Sequence, residues 1–321
     1  MYQVKSPILF LIFNRPKETQ VLFNAIREVK PKKLYVAADG PRSNGKDELV
    51  CEKTKNILNQ IDWDCELITL FREENLGCGK AVSSAITWFF ENEEEGIILE
   101  DDCLPSEDFF RFTDTMLEKY RNDDRIGHIC GTNFQDGIVR GNGDYYFSKT
   151  SPIWGWATWR RVWNKYDFKM SNLDRIYKDD VLSSLTNNKK HKIRIYNSFF
   201  ETKKGFIDTW DYQFFYTNLL NNHLCIISNY NLISNIGFTE DATHTFDLNS
   251  TAANMRYGVL PGTIAHPDTV LQCKEADIYN LNREMTMKFS FKSELVFVLK
   301  RLGLFNFLGM LKCKLFNNKY I

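Results

Sequence analysis

Two rhythms of apolar residues alternate through the first part of the chain. Residues 8–13, ILFLIF, form a continuous apolar run that is broken by Asn14, Arg15 and Pro16. That is the pattern of a strand buried on both faces. Pro16 suits the first turn of a helix, and the spacing predicts one to about residue 29. A second strand, 34–38, ends at Asp39-Gly40-Pro41. A loop and a helix to about residue 60 follow. A third strand, 65–70, ends in Arg72-Glu73-Glu74-Asn75, and Gly77 and Gly79 open a helix over 80–91. The run Ile97-Ile98-Leu99 then stops against Glu100-Asp101-Asp102, followed by a helix over 107–120 and a strand over 126–130. Strands alternating with helices predict an α/β fold with a mainly parallel, doubly wound sheet. Right-handed crossovers place the strand-end loops on one edge.

The regularity stops after Gly131. Gly141-Asn142-Gly143 reads as a turn and 145–147 as a short strand. Residues 151–163, SPIWGWATWRRVW, hold four of the seven tryptophans. A polar helix is predicted over 187–204, a buried helix over 211–220 and a strand over 224–227, and 231–247 reads as loop. These features divide the chain into an α/β half over 1–131, an irregular half of the same unit over 132–288, and a tail over 289–321. The tail interleaves Leu295, Val298, Leu302, Phe305 and Leu311 with Lys292, Lys300, Arg301 and Lys312. An apolar face beside a basic one suits an anionic membrane surface. A helix docked on the domain is the alternative reading.

The formal net charge is zero, so nothing global argues for a nucleic-acid partner. Eight cysteines are scattered singly, without a CxxC pair, which disfavours a zinc ribbon or a redox motif. The opening apolar run, 7–13, is too short for a signal-peptide core or a membrane span. The expectation is a cytoplasmic protein with free thiols, peripheral on the inner face of the membrane if the tail binds there.

Three carboxylates at the tip of a central strand repel one another unless something positive sits among them. A hard divalent cation, Mg²⁺ or Mn²⁺, answers this and leaves sites open for phosphate oxygens. An acidic loop facing water is the alternative. Ligands of open α/β sheets bind outside the carboxyl ends of the strands. Four strand ends converge there: Asn14-Arg15, Asp39-Gly40, Arg72 to Gly79, and Glu100 to Asp102. Arg15 and Lys80 are candidates for pairing with phosphate. Asp39 can accept from a uracil imide or a ribose hydroxyl, although an acid before Gly-Pro is also a common turn residue. Neither GxGxxG nor GxxxxGK[ST] follows a strand, which disfavours a nicotinamide enzyme or a P-loop ATPase. Asp208-Thr209-Trp210-Asp211 offers an acid before an aromatic helix, either a general base for a sugar hydroxyl or a helix cap. His244 is a candidate metal or diphosphate contact. Trp154, Trp156 and Trp159 suit an acceptor wall, or packing between helix and sheet, which is the expectation for at least two of them.

The acidic segment LEDDCLPSEDFF resembles the acid–Asp–Asp segment of nucleotide-sugar glycosyltransferases of the GT-A fold. The likeness is strongest to the inverting N-acetylglucosaminyltransferase that starts complex N-glycan branching, and extends to bacterial family-2-type glycosyltransferases, including the haemolysin-like group. It includes, in matching order, the opening FNRP, Asp39-Gly40, Gly155-Trp156 with Trp163, Trp210-Asp211, and the Gly237 to His244 loop. It implies a UDP-sugar donor, a glycan or lipid-linked sugar acceptor, and a role in bacterial surface polysaccharide synthesis. Asp102 would hold Mn²⁺ or Mg²⁺, with His244 near the metal and diphosphate. Glu100 and Asp101 would orient the donor, Asp39 would meet uracil, and Arg15 would sit by the nucleotide. Asp211 would be the catalytic base. The animal enzyme has two adjacent acids after its tryptophan where this chain has Asp211-Tyr212, which leaves Asp208 as a rival. A sugar nucleotidyltransferase is the competing class, and it usually carries a glycine-rich loop after the first strand, which FNRP lacks. A non-catalytic sugar- or membrane-binding protein of the same fold is a third reading.

Overall fold

A computed structural model of the chain describes residues 2–43, 45, 47–238 and 253–285. The expected His244 contact and the 289–321 tail lie outside the described residues. The strands are β1 (Ile8–Ile12), β2 (Lys33–Ala38), β3 (Glu66–Phe71), β4 (Glu95–Glu100), β5 (Cys103–Pro105), β6 (Ile126–Cys130), β7 (Tyr145–Ser148), β8 (Trp156–Trp159), β9 (Leu224–Ser228) and β10 (Ile233–Asn235). The α-helices are α1 (Pro16–Val29), α2 (Glu48–Lys55), α3 (Cys78–Asn92), α4 (Glu107–Tyr120), α5 (Arg160–Trp163), α6 (Leu173–Lys178), α7 (Lys189–Lys203), α8 (Asp211–Leu220) and α9 (Lys274–Met285).

Eight strands form one sheet in the order β3-β2-β1-β4-β8-β6-β9-β7. The first four are parallel, with Ile8 paired to Leu34 on one side and Ile97 on the other. This is the doubly wound α/β sheet expected from the alternating pattern. All five residues of β1 are buried, as the apolar run requires when helices cover both faces. The run at 65–70 also looks like an interior strand, yet β3 is the sheet edge, and its Leu67 and Phe71 are 39% and 41% exposed. Leu67, Thr69 and Phe71 share one face by strand alternation, and at the sheet edge that face is exposed, whereas Ile68 and Leu70 on the other are half-buried.

The Trp-rich stretch supplies the element that the pattern does not assign. Trp156 to Trp159 enter the sheet as β8, antiparallel to both β4 and β6. Residues of the irregular half therefore sit in the middle of the sheet. Trp156 and Trp159 are 1% and 2% exposed, so packing is their role; Trp154 is half-buried and lines a cleft. Another departure is at 231–247, where Ile233–Asn235 form β10, pairing antiparallel with β5. One core runs through the whole sheet. A second gathers Met170, Leu173, Ile176, Ile195, Phe199 and Tyr216 between α6, α7 and α8.

Candidate active site

β1, β2 and β4 end together, so their terminal residues meet at one cleft. It has a volume of about 610 Å³ and is lined by Asn14, Arg15, Asp39, Arg42, Arg72, Glu100, Asp101, Asp102, Asp208 and Asp211, among others. The structure thus brings together nine of the residues expected from sequence. Lys80 is the exception: it is exposed on the first turn of α3 and does not line the cleft.

The acidic tip is held by a small built frame. Pairing of β5 with β10 sets Cys103 opposite Asn235, and the Ile236 N–H donates to the Asp102 carbonyl (2.8 Å). Gly237 lies directly on the Asp102 carboxylate, where a Cβ would come within 2.3 Å of Oδ2. The resemblance singled out this glycine, and close approach is the physical reason that it must be one. Arg15 reaches the tip from the start of α1. Its Nη1 donates to Asp101 Oδ1 (3.2 Å) and Asp102 Oδ2 (2.9 Å).

One guanidinium faces three carboxyl groups, so full ionisation of all three would leave the tip negative. Burial, then Asp102 and Asp101, pushes the Glu100 carboxyl well above its ordinary range. Burial also raises Asp101, with Arg15 opposing it. Burial works against the Arg15 charge, but Asp101 and Asp102 outweigh it and hold the proton more firmly. Among the described residues no group of three or more His, Cys, Asp or Glu is arranged to hold a metal ion. The donor set therefore does not fit an all-protein cage. It does fit the way Mg²⁺ is usually held, by one or two carboxylates with phosphate oxygens and water completing the shell.

On the β2 side, both Asp39 oxygens accept from the Leu76 N–H (3.0 Å each). Burial raises the Asp39 carboxyl, against backbone N–H groups and Arg72. The loop after β3 is packed so tightly here that a Cβ on Gly40 would lie 2.4 Å from the Glu74 backbone. Arg72 donates to Ser84 Oγ (2.7 Å), and burial lowers its pKa, with Asp39 opposing. Asn14 is tethered to Asp47 (3.1 Å), which also pairs with Arg42. Arg42 is a further cation of the cleft that the sequence pattern does not single out. Its only signal is its place just after Asp39-Gly40-Pro41, where a cation faces the same cleft.

The opposite wall comes from the second half. Trp210 is buried and stacks on Trp156 of β8, with ring centroids 5.4 Å apart and planes 21° apart. That contact fixes the start of α8, and hence Asp211, against the sheet. Thr209 Oγ1 and the Tyr212 N–H donate to Asp211 Oδ1 (2.5 and 2.7 Å). Asp208 is used differently. Its Oδ1 accepts from the Gly79 N–H (3.0 Å) at the start of α3. Gly77, at φ 78°, and Gly79 leave no room for a Cβ: one would meet Asp208 Oδ2 at 2.5 Å and the other Asp208 Oδ1 at 2.8 Å. Asp208 thus binds the first turn of α3, where an anionic group is favoured, and joins the two walls of the cleft.

No protein-family model matches the chain, and no curated protein matches it in sequence. Solved structures are similar to it. TarS 1–349 from S. aureus is 10% identical with a TM-score of 0.38, covering 71% of this chain and 59% of its own. The mannosyltransferase PcManGT from Pyrobaculum calidifontis, in complex with GDP-Man and Mn²⁺, is 12% identical with a TM-score of 0.39, covering 69% and 72%. The inositol-1-phosphate CTP transferase from T. maritima is 9% identical with a TM-score of 0.36, covering 71% and 86%.

Proposed function

We propose that this chain is an inverting glycosyltransferase that moves a sugar from a UDP-sugar to a hydroxyl of a glycan or lipid-linked acceptor. The observation that carries the reading is the meeting of Arg15, Asp39 and Glu100–Asp102 at the carboxyl ends of parallel strands, with Asp211 on the facing wall of the same cleft. The sequence motifs support it in the same order. Asp39, Asn14 and Arg72 line the end that suits a nucleoside, and Arg15 and Asp102 the end that suits its diphosphate.

Asp102, with a phosphate-bearing ligand, is the residue that would hold a divalent cation. When bound, Mg²⁺ or Mn²⁺ would offset charge on the departing diphosphate more in the transition state than in the ground state. Arg15 supplies a fixed positive charge at the same place. Asp211 takes the proton of the acceptor hydroxyl. The bonds from Thr209 and Tyr212 fall on Oδ1, so among the described hydrogen bonds Oδ2 is the oxygen left to accept it. Attack from the face opposite the diphosphate inverts the anomeric carbon. Asp208 holds α3 and is not the base in this reading.

Calorimetry with UDP and Mn²⁺ tests the donor end. Asp102→Ala is expected to weaken UDP binding at least tenfold in Mn²⁺ and to change it little in EDTA. Equal affinity of both proteins in Mn²⁺ overturns the metal assignment. Incubation with UDP-sugars separates this reading from a sugar nucleotidyltransferase: release of UDP supports transfer, whereas pyrophosphate-dependent formation of UTP overturns it.

A further inference from the structure

Helix α7 carries the largest net positive charge of the described helices. Residues 189–204 contain six basic side chains, Lys189, Lys190, Lys192, Arg194, Lys203 and Lys204, and one acid, Glu201, in a protein whose formal net charge is zero. A stripe of His191, Ile195, Phe199 and Thr202 is buried, and it packs the helix on α6 and α8. At 3.6 residues per turn, Lys189, Lys190, Ile193 and Lys204 fall on the opposite side, and all four are exposed.

Two of the remaining cations are already used within the fold. Lys192 pairs with Asp180 (2.8 Å), and Lys203 donates to the Met170 carbonyl (2.7 Å). Apolar groups stand beside the exposed lysines. Ile193 is 41% exposed, and Tyr177 of α6 is 76% exposed with its ring 5.8 Å from that of Tyr196. A single exposed isoleucine or tyrosine is ordinary. Here Tyr177 lies on α6 and Ile193 on α7, and residues 173–180 with 189–204 carry eight basic side chains against four acids, Asp174, Asp179, Asp180 and Glu201.

We propose that this α6–α7 surface docks on an anionic lipid bilayer. Lysines meet lipid phosphates at the headgroup level, while the Ile193 and Tyr177 tips reach the acyl boundary beneath. A nucleic acid would answer the charge and stack on Tyr177, but it offers Ile193 no apolar partner. The inference does not rest on the proposed chemistry. It is compatible with it, since a lipid-linked acceptor lies at a membrane surface.

The test is co-sedimentation of the full chain with vesicles of phosphatidylcholine alone and of phosphatidylcholine with equimolar phosphatidylglycerol. Binding is expected only to the anionic vesicles, and it weakens as salt screens the lysines. Lys189→Ala with Lys190→Ala is expected to lower partitioning about 25-fold, from about fivefold for each lysine near the surface. Ile193→Ser lowers it further, at high salt as well as low. These positions are exposed, so unchanged thermal melts show that the variants fold. The 289–321 segment stays intact in every variant, so wild-type partitioning by the double variant assigns the binding elsewhere and overturns the proposal. So does equal binding to both vesicles, or none to either.

Discussion

Replacing Arg15 by glutamine removes the positive charge from the acidic tip and leaves three carboxylates to one another. The cost follows from the geometry. The Arg15 side chain is 21% exposed, and Asp101 and Asp102 are 10% and 18% exposed, so solvent screens the loss only in part. Breaking a fully buried ion pair by removing one partner costs about 3–5 kcal/mol. Partial exposure, and the freedom of Asp101 and Glu100 to protonate, lower this to about 2–4 kcal/mol. With an unfolding entropy near 2.1 cal/mol/K per residue, a chain this long loses about 3–6 °C in Tm. The sign with pH is also fixed. Glu100 and Asp101 bind protons more tightly folded than unfolded, because burial raises both. Stability therefore falls as pH rises from the unfolded carboxylate pKa, near 4, through their raised folded values. Arg15→Gln raises those values further and extends the fall to higher pH, so its deficit is larger at pH 8 than at pH 5. Differential scanning fluorimetry in EDTA across that range measures this. Mn²⁺ is expected to restore more stability to the variant than to the wild type, since it meets a more negative site. A variant as stable as the wild type at pH 8, with no added response to Mn²⁺, refutes the electrostatic account of the tip.

The two acids across the cleft separate in a paired test. Asp211→Asn is expected to keep UDP affinity and lose about 10²–10⁴-fold in transfer rate, whereas Asp208→Asn transfers normally because its amide oxygen still accepts from Gly79; the reverse pattern makes Asp208 the base. Gly79→Ala places a Cβ 2.8 Å from both Asp208 Oδ1 and the Thr209 carbonyl, so urea unfolding is expected to show a loss of about 1–3 kcal/mol; a gain would mean that the contact is slack. His128 is 1% exposed, and burial lowers its pKa to about 3, with the Pro152 carbonyl opposing. The unfolded imidazole binds protons first, so stability is lost as pH falls from about 6.5 toward 3, at up to about 1.4 kcal/mol per pH unit. His128→Gln is expected to flatten that limb in acid melts, and an unchanged slope would assign it to other groups.

The parallel half of the fold was legible because its signals are local. Each of β1, β2 and β4 is an apolar run that ends at a polar break, and a right-handed crossover then decides on which edge those breaks lie. Placing Arg15, Asp39 and Asp102 in one region needs no further information. What was hidden depends on pairings distant in sequence. The stretch Trp156-Ala157-Thr158-Trp159 has no clean alternation, because β8 is buried on both faces and is antiparallel to each neighbour. Its place between β4 and β6 is decided by strands formed earlier in the chain. The run before Phe71 carries no mark of being an edge until the strand order is known.

The same distinction governs the roles of Asp208 and Asp211. They stand three residues apart and look alike as candidates, either able to cap a helix or take a proton. The helix that Asp208 caps is not the next one but α3, whose Gly79 lies 129 residues earlier. No local rule joins the two, although Gly77 and Gly79 are a residual trace of the contact, since only glycine lets the carboxylate come so near. The neighbouring Trp210 is fixed from a third place, by Trp156 of β8. The base assignment thus depends on a geometry in which one acid joins α3 to the facing wall and the other begins α8 in the cleft. Removing the Asp208–Gly79 bond while leaving Asp211 intact should therefore alter transfer through position and not through proton affinity. Asp208→Ala is expected to raise the KM for donor and accelerate amide exchange at Gly79, with the pH profile of kcat unmoved.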